Sequence, residues 1–217
     1  MPMAAPAHKR RCLSAAGDAP PDFARLPPCP FVYKRAAKLT RVERAVLWRM
    51  SVMAFGLDGA PPRRTATTYF AASVPLAEDA AEVALPLVLL KHTGASLYEL
   101  LGTHVLGREQ LRDDMRVAVG ALADAGYVHA DLGSRDRGAA AALKNITYDA
   151  TSGTYALIDF GKMRRAPDDW HERDAEARRA FIDDFVDDLL ARIDAALGAH
   201  ALSPEPPWTH RHLVSRA

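Results

Sequence analysis

The sequence predicts an α+β protein of short strands and longer amphipathic helices, arranged as one domain of two lobes. Three observations predict it. Phe31-Val-Tyr-Lys34 and Thr67 to Val74 have the aromatic and β-branched content of strands. Ile146 to Tyr148 and Thr154 to Ile158 are two more strand-like runs, and Asp149-Ala-Thr-Ser-Gly153 between them has the composition of a hairpin loop. Two long segments instead carry apolar residues at helical spacing: Leu111, Met115, Ala118, Val119 and Leu122, then Phe181, Ile182, Phe185, Val186, Leu189, Leu190 and Ile193.

A chain of 217 residues can bury a sizeable core, and its 49% apolar and 25% charged content is that of an ordinary globular protein. A net charge of +1 provides no field that would favour nucleic acid. The Arg pairs at 63-64, 164-165 and 178-179 are scattered and read as solvated surface. The only two cysteines, Cys12 and Cys29, make no metal-ligand pattern, so a reducing compartment is expected, cytoplasmic or nuclear. The apolar core of a signal peptide is not expected near the start, and the run Val83 to Leu90 is too short to cross a bilayer, so no membrane partner is expected.

In chain order, residues 1–30 are rich in Ala and Pro and are expected to be disordered or extended. The strand at Phe31 follows. Thr40-Arg-Val-Glu43 reads as a capping box opening a helix that carries Val46, Leu47, Met50 and Met53. Residues 56–68 form a loop around Gly56, Gly59, Pro61 and Pro62, and Glu78-Asp79 marks an acidic turn. The helix from Arg108 to Ala125 ends at Gly126, a residue favoured just past a helix. Residues 168–176 are polar. In the last helix Asp183, Asp184, Asp187 and Asp188 form a face expected to be solvated, with Gly198 closing it and a loose tail over 201–217.

Between Gly126 and Met163 the sequence offers, in order, His129-Ala-Asp131-Leu132, Asn145, and Asp159-Phe160-Gly161. This series resembles the catalytic core of the protein-kinase-like phosphotransferases and is far more specific than any one of its members. Phosphoryl transfer needs a carboxylate to orient the attacking hydroxyl, and oxygen ligands to hold Mg²⁺ against the phosphates. The resemblance gives the first role to Asp131 and the second to Asn145 and Asp159, with His129 supporting the loop. It makes Phe31 to Lys34 the strand whose Lys34 contacts the α- and β-phosphates, and Glu43 the partner of that lysine. Leu85 to Lys91 and Gly94 to Leu101 become a strand, a hinge and a first helix. There the backbone groups of Leu90, Lys91 and His92 would read adenine.

The resemblance therefore implies a reduced N-lobe at 31–90 and a truncated helical C-lobe at 91–200 carrying the catalytic loop. The implied function is an ATP- and Mg²⁺-dependent phosphotransferase, a minimal serine/threonine protein kinase acting alone or with a partner subunit. Alternatives of the same fold are an inactive regulatory scaffold and a kinase of small molecules. The chain departs from the family pattern in four places. Asn145 lies fourteen positions after Asp131 instead of five, behind an insertion from Gly133 to Ala142 that puts Asp136 where the Asn would fall. Before Gly56 the sole glycine is Gly17, so there is no Gly-rich lid. Ala130 replaces the arginine of the catalytic loop, and no Ala-Pro-Glu segment follows Met163.

Overall fold

The computed structural model describes residues 31–74, 87–100, 106–132 and 140–197. The expected disordered start, the Glu78-Asp79 turn, most of the insertion after Asp131, the helix-closing Gly198 and the tail lie outside the described residues.

The described chain opens on β1 (Phe31–Arg35) and a 3₁₀ turn, Ala36–Lys38, before α1 (Arg41–Phe55). Thr40 caps α1, its hydroxyl accepting the Glu43 N–H at 3.0 Å. Gly56 closes it at φ 67°, a left-handed conformation that a side chain would strain. β2 (Phe70–Val74) and β3 (Leu87–Lys91) then form an antiparallel sheet with β1, in the order β1-β3-β2. Val46, Leu47, Met50 and Met53 on α1 are buried in the core. Ser51 ties helix to sheet: its hydroxyl donates to the Leu47 carbonyl at 2.7 Å and accepts the Phe70 N–H at 3.0 Å. The strand expected from Thr67 begins only at Phe70 because the preceding residues are engaged elsewhere. Leu157 N–H donates to the Ala66 carbonyl and Thr68 N–H to the Leu157 carbonyl, both at 3.0 Å.

After β3 the chain turns at Gly94 into β4 (Ala95–Ser96). Gly94 sits at φ 89°, and a Cβ there would fall 1.8 Å from the Tyr148 carbonyl oxygen, so only glycine permits this approach. The helix expected from Gly94 is not seen among the described residues. Residues 95–96 are strand, and Ser96 and Glu99 cap each other across a single turn at 97–100, with Glu99 Oε2 accepting the Ser96 N–H at 2.8 Å.

α2 (Arg108–Asp124) delivers Leu111, Met115, Ala118, Val119 and Leu122 to the core, as the periodicity predicts. It ends at Gly126 (φ 85°), and β5 (Tyr127–His129) follows at once. α3 (Ala140–Asn145) is a helix the sequence reading did not anticipate, although the alanine run at 139–142 is strong helix former. β6 (Ile146–Asp149) and β7 (Thr154–Leu157) form the expected hairpin, Ile146 facing Leu157, and join β4 in the order β4-β6-β7. β8 (Met163–Arg165), also unanticipated, pairs antiparallel with β5, His129 facing Met163.

α4 (Ala175–Leu197) buries Val186, Leu189, Leu190 and Ile193 against the same core. One apolar cluster runs from Leu39 on the α1 side to Leu197 on α4, each fully buried Leu or Ile contributing about 1.5–3 kcal/mol by transfer from water. The acidic face of α4 is solvated as expected, with Asp184, Asp187 and Asp188 exposed and Asp183 half-buried. Its carboxylates meet arginines one turn apart on α2: Asp183 with Arg116 at 2.7 Å, Asp187 with Arg112 at 2.8 Å, and Asp194 with Arg108. The polar segment before α4 is anchored by Trp170, 2% exposed, whose Nε1–H donates to Asp124 at 3.1 Å. Among the described residues no helix is long and apolar enough to cross a membrane. The architecture is thus α+β, with small antiparallel sheets and four helices among the described residues.

Candidate functional site

Lys34 sits on β1, where pairing with β3 fixes it opposite Val88. Its ammonium donates to Glu43 Oε1 at 2.8 Å, across nine residues and from strand to helix. Glu43 does two things at once: its N–H completes the cap of α1 while its side chain, 6% exposed, holds Lys34.

Both residues line a cavity of about 300 Å³ with Leu90, Lys91, His92, Asp159 and Phe160. This joins the expected lysine pair, the three expected backbone readers and the Asp159-Phe160 pair in one place. The backbone of Lys91 is already engaged there: its N–H donates to the Tyr69 carbonyl at 3.1 Å, and its C=O accepts the Thr68 hydroxyl at 2.8 Å. The Lys91 N–H is thus already satisfied, while its carbonyl keeps a second lone pair. The hydroxyl-rich wall of this cavity escaped the sequence reading. Thr68, Thr93 and Thr147 line it, Thr147 donating to Thr93 at 2.8 Å. No spacing in the sequence marks these threonines, which come together only through β3 and β6.

Asp131, His129 and Asn145 form a second cluster that meets the first at residues 158–160. His129 is 3% exposed. Its Nε2 lies 3.1 Å from the Ile158 carbonyl, its Nδ1 accepts the Asp131 N–H at 3.2 Å, and its ring packs edge-on to Phe160 at 5.9 Å between centroids. Nε2 acts as donor and Nδ1 as acceptor, which is the pattern of a neutral imidazole. Burial pushes its pKa below the ordinary value, against weaker opposing effects of the Ile158 carbonyl and the charges of Asp159 and Asp131. His129 is therefore a buckle for the loop, as expected.

Asn145 ends α3, and its amide nitrogen donates to the Asp131 carbonyl at 3.0 Å. Its own carbonyl accepts the Ile158 N–H at 3.0 Å, one residue before Asp159. So the residue fourteen positions after Asp131 is the one that touches it, and the hairpin brings Asn145 and Asp159 to the same end, as the sequence reading requires. Asp159 has φ 60°; a non-glycine residue in this left-handed region is uncommon and concentrates at functional sites. Among the described residues no group of three or more His, Cys, Asp or Glu side chains is placed to hold a metal.

Two charged residues were missed. Lys162, directly after Gly161, donates to Asp131 Oδ2 at 2.9 Å; its place beside the Asp-Phe-Gly triplet was the available signal. Asp114 on α2 is 0% exposed and accepts the Tyr155 N–H at 2.6 Å, the Gln110 amide at 2.9 Å and the Arg64 guanidinium. It sits within the apolar stripe of α2, where a lone carboxylate reads as the edge of a solvated face. Arg49 on α1 bonds the Ala125 carbonyl at the end of α2 and lies over the Tyr127 ring, 5.6 Å from its centroid.

A scan against protein-family models and a search of curated proteins each found no match for this chain.

Proposed function

We propose that the chain is an ATP- and Mg²⁺-dependent phosphotransferase with a reduced, two-lobed protein-kinase-like fold, acting on a serine or threonine hydroxyl. The observation that carries this reading is the Lys34–Glu43 pair, 2.8 Å long, in a cavity shared with Asp159. A lysine held by a buried glutamate beside a strained aspartate is the arrangement that positions phosphates and offsets their charge.

In this reading Lys34 donates to phosphate oxygens while Glu43 fixes where its ammonium points. Asn145 and Asp159 would hold Mg²⁺, which when bound draws the phosphate oxygens together and offsets their charge. Their donor chemistry fits: an amide oxygen and a carboxylate are hard ligands. Mg²⁺ takes its other positions from water and substrate phosphates, so a three-carboxylate cluster is not needed. Asp131 orients the acceptor hydroxyl and takes its proton. His129 stays neutral and holds the loop that carries Asp131. The cavity of about 300 Å³ is at the lower end for small-molecule sites.

The test is calorimetric titration with ATP, with and without Mg²⁺, of the wild type and the Asp159→Ala variant. Mg²⁺-dependent binding that disappears in the variant is expected. Binding of equal strength in the two proteins, or none to the wild type, would overturn the reading.

A further inference from the structure

Lys162 stands where neither fold nor cavity needs it. Its position is set by the main chain: Ala130 N–H donates to the Lys162 carbonyl at 3.1 Å, continuing the β5–β8 ladder in which His129 faces Met163. This register puts Lys162 across from the residue before Asp131, and the ammonium then reaches Asp131 Oδ2 at 2.9 Å. The lysine side chain is 50% exposed and the aspartate 17%. With its lysine half in water, the pair is weaker than a fully buried one. An ammonium on a flexible stem can leave its carboxylate for another anion within reach without being stranded from water.

The sequence sharpens the question of what that anion is. No glycine-rich loop stands before Gly56 to wrap phosphates with backbone N–H groups. In the proposed function Lys34, steered by Glu43, meets the phosphates from the cavity side. Under the proposed function, a negative Asp131 must approach a negative phosphoryl group, and Lys162 is a cation already in contact with Asp131.

Resting on that function, we propose that Lys162 is a further phosphate-binding residue, moving from Asp131 onto the oxygens of the transferring γ-phosphoryl group. In the step it attends, the acceptor hydroxyl oxygen bonds to the γ-phosphorus and the hydroxyl proton passes to Asp131. The bond from that phosphorus to the β-phosphate bridging oxygen breaks, its electron pair leaving on ADP. Lys162 keeps its protons throughout and contributes charge alone.

A binding experiment separates this role from a structural one. ATP and ADP, each with Mg²⁺, are titrated into wild type, Lys162→Met and Lys162→Arg, with thermal midpoints confirming that all three are folded. The wild type should prefer ATP over ADP by about tenfold, the scale of one charge-assisted hydrogen bond. Lys162→Met should lose that preference with ADP affinity unchanged, and Lys162→Arg should keep most of it. An ATP-to-ADP ratio unchanged in Lys162→Met, while wild-type binding still requires Mg²⁺ and Asp159, overturns the role of Lys162 alone. If the wild type binds neither nucleotide, or binds both regardless of Asp159, the proposed function fails and this inference with it.

Discussion

Two carboxylates, Asp114 on α2 and Glu43 on the cavity wall, are buried and firmly held, whereas along the α2–α4 surface carboxylates stay in water. Asp114 is 0% exposed and takes three donors, and Glu43, 6% exposed, grips a lysine from another element. On the helix pair, Asp187 is 60% exposed and Asp183 34%, each meeting an arginine of α2. The same ion-pair chemistry does different work in the two places. A buried carboxylate stripped of its partners would remain a charge without water, so its pairs fix geometry strictly. An exposed one is rehydrated when its partner leaves, so the ladder biases the register of the helices and adds little energy.

Substitutions should expose this difference. The largest effect falls on chemistry: Asp131→Asn is expected to lower phosphate transfer by about 10²–10⁴-fold, the usual contribution of a positioned proton acceptor. A radiometric transfer assay with a hydroxyl acceptor reads it. Next comes Asp114→Ala, which leaves the Tyr155 N–H and Gln110 amide without their acceptor and should cost about 3–5 kcal/mol in urea unfolding. A loss below about 1 kcal/mol would mean that buried and surface carboxylates do not differ as argued.

A pH effect sharpens the comparison further. His129 is buried and neutral, its pKa lowered by that burial, so the unfolded chain binds the proton more readily than the folded one. Its contribution to stability is present above the ordinary histidine value of about 6.5 and is lost as pH falls below it. Chemical denaturation from pH 7.5 to 5 should show a decline that is shallower in His129→Gln. The smallest effect belongs to the ladder: Arg112→Ala should cost about 0–1 kcal/mol, and less in high salt. A larger, salt-insensitive loss would place the ladder with the buried pairs.

Legibility in the sequence follows the same division. The helices over 41–55, 108–124 and 175–197, and the hairpin at 146–157, were readable because a solvated face opposite an apolar one leaves a periodic trace. Glu43 was readable beside Lys34 from the resemblance, whereas Asn145 was readable as a site residue without its bond to the Asp131 carbonyl. What escaped was set by tertiary contact. β8 exists because Met163 to Arg165 meets β5, and three residues carry too little pattern to announce it. Thr67 and Thr68 have strand composition but meet Leu157 of the β6–β7 hairpin. Asp114 broke the pattern of its helix, and its role emerges only from Tyr155, forty-one residues away.

Arg49 gives this arrangement a mechanical aspect. It springs from the same helix as Glu43, yet it grips the Ala125 carbonyl and covers Tyr127, at the turn that leads into His129 and Asp131. A roll of α1 large enough to part Glu43 from Lys34 would pull that turn as well. Under the proposed function, the phosphate grip and the proton acceptor are two ends of one linkage, and whatever turns the helix would throw both together.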